Sequence, residues 1–386
     1  MLLEKENIPY GHQTIDEADI QAVISVLRSD YLTTGPSVET FEQKVAAYTG
    51  AGYAAAVANG TAALHTACLA AGIREGDEVI TSPMTFAASA NCILYCGARP
   101  VFADIDPDTC NLSPDQIEKK ITPRTKAVIP VHFAGQPCDL DAIGRIADAC
   151  HLTVIEDGAH ALGACWHGKK IGSFSAMTTF SFHPVKPITT GEGGMVVTND
   201  ARLYEKLRLY RSHGITRDPL QMQETGGSCK DRGESWYYEQ TALGFNYRMT
   251  DIQAALGISQ MDKLDLFLEK RRNIARRYQE AFQDHPCIGI PYVPEGVQSG
   301  WHLYVIRIRN GRRAEVFRSL RDAGIGVNVH YIPVYRHPYY QKHGYRGTSC
   351  PQAEKLYEEM ISLPIYPGLS REQQEYVIEK VLHVCG

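Results

Sequence analysis

Val154-Ile-Glu-Asp157-Gly-Ala-His160 and Ser181-Phe-His-Pro-Val-Lys186-Pro-Ile-Thr-Thr-Gly-Glu-Gly-Gly194 decide how this chain is read. The first puts an acid at the end of an apolar run. The second leaves another apolar run, Thr178 to Phe182, and must turn at once, because a lysine between Pro184 and Pro187 cannot sit mid-helix. Outward from this pair, short apolar runs recur: Tyr53 to Val57, Glu78 to Thr81, Pro100 to Ala103, Lys126 to Val131, Leu152 to Ile155 and Gly194 to Thr198. Helical patterns separate most of them, among them Thr61 to Ala71, Ser113 to Lys120 and Leu140 to Ala149. Uniformly apolar strands alternating with helices predict an α/β fold with a mainly parallel sheet covered on both faces. Ligands collect at the carboxyl ends of such strands, where Asp157 falls.

The pattern changes near Thr250. Asp251 to Leu264 and Asp265 to Phe282 read as helices, Trp301 to Ile308 alternates like a strand, and a helix (Ala314 to Ala323), a strand (Gly326 to Tyr331) and a final helix follow. We expect a large domain with an N-terminal arm over residues 1–250 and a small α+β domain over 251–386. Thr216 to Glu239 reads as a long loop.

With 386 residues, 44% hydrophobic and 22% charged, the composition is that of an ordinary globular enzyme. A net charge of -5 without a basic run leaves no nucleic-acid footprint. No apolar run of about 18 residues predicts a membrane span. The start, Met1 to Asn7, lacks a signal-peptide core, so a cytoplasmic location is expected. None of the 11 cysteines forms a C-x-x-C pair, and several, including Cys68, Cys92, Cys96 and Cys150, lie in apolar stretches. They read as buried free thiols. No metal is expected, since His330 and His337 lack accompanying acids or cysteines.

An acid at a strand end, followed by Ser-x-x-x-x-Lys and glycines, is the layout of a pyridoxal phosphate site. A lysine bonds the cofactor's aldehyde, and a carboxylate keeps the pyridine nitrogen protonated so that the ring becomes an electron sink. Lys186 and Asp157 are the candidates. A lone lysine or strand-end acid is ordinarily a turn residue; the pairing reverses that reading. Glu156 is expected to point to the opposite face. Asn59-Gly60-Thr61-Ala-Ala-Leu64 follows a strand and opens a helix, so its free N–H groups suit a phosphate, with Ser181 a second ligand. Phe86 offers a ring to stack on a pyridine, and His160 a donor or packing partner.

Taken together these segments resemble the DegT-type sugar aminotransferases, of the aspartate-aminotransferase (type I) fold. The resemblance runs from Tyr31-Leu-Thr-Thr-Gly-Pro36 through the segments above to Arg211-Ser-His-Gly214, Phe245-Asn-Tyr-Arg-Met249 and Val329-His-Tyr-Ile-Pro333. It implies a homodimer with shared active sites, Lys186 as cofactor lysine and proton shuttle, and Asp157 on the ring nitrogen. It also implies phosphate contacts from Gly60, Thr61, Ala62 and Ser181, with Asn246 reaching over from the partner subunit. L-glutamate would be the amino donor.

Within the family, His183 to Gly194 is most similar to the pseudaminic acid branch. That similarity implies UDP-2-acetamido-2,6-dideoxy-β-L-arabino-hex-4-ulose as acceptor. It places the sugar nucleotide near Tyr10, Asp30, Tyr31, Leu32, Thr33, Gly60, Ser181, Asn246, Ile325, Gly326, Val327 and Asn328. The alternative keeps the chemistry and changes the acceptor to another dTDP- or UDP-4-keto sugar. A regulator built on the fold would lose the lysine or add a DNA-binding segment. A nicotinamide enzyme would need a G-x-G-x-x-G after a strand, which this chain lacks.

Overall fold

The computed structural model describes residues 7–222 and 234–386. Seven strands form the main sheet: β1 (Tyr53–Val57), β2 (Glu78–Thr81), β3 (Arg99–Phe102), β4 (Thr125–Ile129), β5 (Thr153–Asp157), β6 (Met177–Ser181) and β7 (Gly194–Thr198). Their order is β1-β7-β6-β5-β4-β2-β3. Strands β3, β2, β4, β5 and β6 pair in parallel, whereas β7 runs antiparallel to both β6 and β1. The sheet is therefore mainly parallel, with one reversed strand. No helix joins β6 to β7; the Lys186 segment makes that connection, which antiparallel neighbours permit.

Successive residues of these strands enter opposite cores, as a sheet covered on both faces requires. Met195 and Val197 of β7 pack with Phe41, Val45, Phe180 and Phe182. Val196 packs on the other face with Ala55, Val57, Leu64 and Ile155.

A second sheet of three antiparallel strands, Ile288–Gly289, Tyr304–Ile308 and Met360–Leu363, is covered by helices Arg313–Asp322 and Arg371–Cys385. The helix Asp251–Met261 packs on Glu17–Leu27 and Pro36–Thr49, so the first body continues past residue 250. The helix Leu264–Phe282 spans both bodies. Leu264, Phe267 and Leu268 lie in the core of the large sheet, and Ile274, Tyr278 and Phe282 in that of the small one.

Three expectations need correction. Gly326 to Tyr331 is not a strand but an extended segment held by isolated bridges, Ile325 to Ile8 and Asn328 to Ser362. The strand expected from Trp301 begins only at Tyr304, because Trp301 has φ 46° and turns the chain. Cys150, the last residue of its helix, is exposed; the ten cysteines among the described residues are all free. The ends of the expected loop from Thr216 to Glu239 pair as Ile215–Thr216 with Glu239–Gln240, and residues 223–233 lie outside the described residues.

Candidate active site

Gly194 of β7 stands opposite Val57 of β1 on one side and Ser181 of β6 on the other. The chain leaving β1 therefore lands beside the chain leaving β6. Asn59 caps the helix Gly60–Ala70, its Oδ1 accepting from the amide of Ala62 at 2.8 Å. The Gly60 and Thr61 amides have no acceptor within the helix and sit at its positive end. A Cβ on Gly60 would lie 2.9 Å from Cβ of Ser181, and one on Gly194 would lie 2.4 Å from the Asn59 carbonyl oxygen. Both positions need glycine for this close approach. Two amides and the hydroxyls of Thr61 and Ser181 make an anion cradle. The Ala62 amide is already spent on Asn59, and its side chain is buried away from the cavity.

At the end of β5, neighbouring carboxylates point opposite ways. Asp157 lines the cavity. Its Oδ2 accepts from the Ser89 hydroxyl at 2.6 Å and its Oδ1 from the Ala159 amide at 3.1 Å. Glu156 faces away, fully buried, accepting from His132 Nε2 at 2.7 Å, the Ser175 amide and the Thr178 hydroxyl. The Cys138 amide donates to His132 Nδ1, so the imidazole proton sits on Nε2 and is given to Glu156.

Lys186 follows a turn closed by its amide on the His183 carbonyl. Its half-buried ammonium is pushed down to about 8, first by burial and further by the Arg271 charge, against the pull of Asp157. Nζ lies 3.5 Å from His302 Nε2. The His302 and His160 rings are 4.3 Å apart, and the Tyr331 hydroxyl and His160 Nε2 share a hydrogen bond at 3.2 Å. Burial, reinforced by Lys186, holds both histidines well below the ordinary value, so they are neutral. The buried Nδ1 atoms of His160 and His302 have no partner among the described residues. Phe86, 63% exposed, overhangs the same cavity beside Tyr331.

The cavity measures about 680 Å³ and gathers Gly60, Thr61, Phe86, Asp157, His160, Ser181, Lys186, Tyr10 and Asn328. Tyr10 is carried there because Ile8 and Tyr10 are zipped to Gly324, Gly326 and Ile365. Other expected residues lie elsewhere. Asp30, Tyr31, Leu32 and Thr33 form an exposed turn held by a Leu32–Asp251 backbone bond and a Thr33–Thr250 bridge. Asn246 is exposed and bridges Ser212. Ile325 and Val327 are buried in the small core, and the Gly326 amide is spent on Ile8. Asn59, which opens the Gly60-Thr61 motif, also lines the cavity, as do Thr85, Ser89 and His302, which no sequence motif singles out. His302 sits in an apolar alternating run that reads as plain strand, and Ser89 in a small-residue helix.

A half-buried free amine, a buried carboxylate, an anion cradle and an exposed ring converge on one cavity. The profile of the DegT/DnrJ/EryC1/StrS aminotransferases matches residues 13–382. The chain belongs to this aminotransferase family. It is 44% identical to the spore coat polysaccharide biosynthesis protein SpsC of Bacillus subtilis, over 98% of each chain. Among solved structures it resembles Helicobacter pylori PseC, an aminotransferase of pseudaminic acid biosynthesis (TM-score 0.90, 33% identity, 98% of this chain and 99% of that one). The pyridoxal phosphate form of the sugar aminotransferase Spr1654 of Streptococcus pneumoniae gives the same TM-score, identity and coverage.

The DegT-family chain is thus a pyridoxal phosphate-dependent sugar aminotransferase of the type I fold. Its cavity fits the cofactor. Gly60, Thr61 and Ser181 could take the phosphate, Asp157 the ring nitrogen, Phe86 a ring face and Lys186 the aldehyde. The orphaned buried nitrogens of His160 and His302 await polar partners. Among the described residues no helix is long and apolar enough to cross a membrane.

Proposed function

We propose that this aminotransferase moves the amino group of L-glutamate to C4 of UDP-2-acetamido-2,6-dideoxy-β-L-arabino-hex-4-ulose. The products are 2-oxoglutarate and UDP-4-amino-4,6-dideoxy-N-acetyl-β-L-altrosamine. The observation that carries the chemistry is the Lys186 amine, held to about 8 in the cavity that holds Asp157 and the anion cradle.

When bound, pyridoxal phosphate supplies an electron sink for the pair left behind as the donor's Cα–H breaks. Asp157, fixed by Ser89 and the Ala159 amide, would hold the cofactor's ring nitrogen. Gly60, Thr61 and Ser181 would anchor its phosphate by hydrogen bonds and the helix dipole. Lys186 Nζ takes the Cα proton of glutamate as a free base and holds it for return, and performs the reverse at C4 of the sugar. Neutral His302 beside it puts no second charge against the amine.

Support for the pseudaminic-type acceptor is the likeness to PseC along the whole chain. The higher identity to SpsC favours a second reading, another UDP- or dTDP-linked 4-keto sugar made for a polysaccharide. Tyr10 and Asn328, in the cavity wall, are the sugar-side contacts we assign in this chain. We assign Asn246 and the turn from Asp30 to Thr33 to the cavity of a partner subunit in a homodimer. Their exposure, together with that of Tyr31, Leu32 and Leu243, supports this. The free thiols support a cytoplasmic enzyme.

The test is absorbance of the holoenzyme. Glutamate should bleach the yellow band, and one ketosugar of a UDP and dTDP panel should restore it. No bleaching rejects the glutamate half-reaction. Recovery with a different ketosugar selects the second reading. For the shared site, neither Lys186→Ala nor Asn246→Ala dimers should be active, but mixing them should recover activity through hybrids carrying one intact site.

A further inference from the structure

Arg271, on the helix Leu264–Phe282, is fully buried and has no carboxylate partner among the described residues. Its guanidinium is spent on main-chain carbonyls. Nη1 lies 2.9 Å from the Ile365 oxygen, 3.2 Å from that of Trp301 and 3.3 Å from that of His302, and Nη2 lies 3.4 Å from the Val185 oxygen. Nε has no partner. A buried cation without an anion is costly, and a chain needing only to fill this volume would be better served by an apolar side chain. The carbonyls it gathers are informative. One belongs to the residue before Lys186 and another to His302 itself, and these two side chains meet at 3.5 Å.

We propose that Arg271 is a positioning residue for transamination, pinning the backbone at Val185 and His302 so that Lys186 and His302 stay face to face. This rests on the assignment of Lys186 as the proton-carrying lysine. The guanidinium fork suits the task, because its fixed, planar donors span carbonyls from three segments that a single ammonium cannot span together. Its charge acts too. Among the groups facing Lys186, Asp157 favours the ammonium, whereas Arg271 disfavours it. Neutral His160, His302 and His330 surround it, and His183 and Glu192 line the same cavity. Arg271 thus supplies geometry and, added to the larger effect of burial, a permanent charge that favours the free amine.

The experiment uses the full-length chain as wild type, Arg271→Met and Arg271→Lys. The titration of Lys186 is followed by NMR of lysine labelled with carbon-13 at Cε in cofactor-free protein, the signal being assigned by its loss in Lys186→Arg. The glutamate half-reaction of each holoenzyme is followed across pH. In Arg271→Met the Lys186 titration should rise, and the rate profile should move alkaline with it. In Arg271→Lys the charge remains and the titration should stay put, while the half-reaction slows by about tenfold or more from lost alignment. A folded Arg271→Met with an unmoved titration, or an Arg271→Lys with wild-type rate, overturns the proposal. If Arg271→Met does not fold, the Arg271→Lys rate decides alone. Failure of the wild type to react with glutamate would reject the functional assignment instead, whatever the Arg271 variants do.

Discussion

Ser89 donates its hydroxyl to Asp157 Oδ2 across 2.6 Å, joining the helix after β2 to the end of β5. Thr85 lies 2.6 Å from Ser89 and completes a short chain of hydroxyls behind the carboxylate. A hydrogen bond to a charged group is worth about 1.5–3 kcal/mol. Ser89→Ala should therefore lower the glutamate half-reaction by about tenfold or more, with cofactor still bound. A wild-type rate would show that Asp157 needs no such support.

The lysine sets the pH dependence. Its folded value is about 8, below the ordinary lysine value, so the free base is scarce at lower pH. The half-reaction should fall about tenfold per unit below that point and level off above it. Stopped-flow bleaching across pH reads this directly. In the cofactor-free protein the same depression makes the folded state shed this proton before the unfolded one. Stability should therefore gain from pH 8 upward relative to Lys186→Met.

Gly60 and Ser181 leave no room for a methyl group between them. Gly60→Ala must push Ser181 aside, an overpacking of about 1–3 kcal/mol that falls on the cradle. Faster loss of pyridoxal phosphate on dialysis is expected. The double variant Gly60→Ala with Ser181→Gly should regain part of the retention, because the added carbon then meets the Cα of residue 181 at 3.6 Å, an ordinary contact.

Phe86 is too exposed to hold the fold. Phe86→Ala should change stability by less than about 0.5 kcal/mol in denaturant. Loss of a stacking face should weaken cofactor affinity by about 0.5–1.5 kcal/mol. A large drop in stability with unchanged affinity would make Phe86 a packing residue.

Glu156 and Asp157 are neighbours with separate duties. In Glu156→Gln the new NH2 must face either His132 Nε2 or both the Ser175 amide and the Thr178 hydroxyl, a mismatch of about 1–3 kcal/mol. Its melting temperature should fall while the pH profile of the half-reaction stays in place. Asp157→Asn should do the reverse, keeping stability and losing the half-reaction.

Much of this was legible along the chain because the signals are local. A strand buried on both faces carries a short apolar run, so β1, β2, β4, β5 and β6 stand out. Pro184 and Pro187 force the turn that offers Lys186, and Asn59-Gly60-Thr61 carries its own capping chemistry. Alternation does not report direction, so the reversal of β7 was hidden, and with it the reason Gly60 meets Ser181 across Gly194. Met360–Leu363 follows directly on the helix Pro351–Glu359, and a short apolar run there looks like more helix. The extended segment from Gly326 was read as a strand because it has strand composition, but its neighbours offer isolated bridges instead of a ladder.

By itself, the sequence determined the inventory of chemical groups and the local turns and helix ends that present them. A proline, a glycine or a capping side chain acts within a few residues. Only the tertiary structure decided which groups meet. Ser89 reaches Asp157, His302 reaches Lys186 and Arg271 reaches Val185 through strand order and the packing of one long helix into two cores. Those choices are settled by burial summed over the whole chain, which no short window of residues contains.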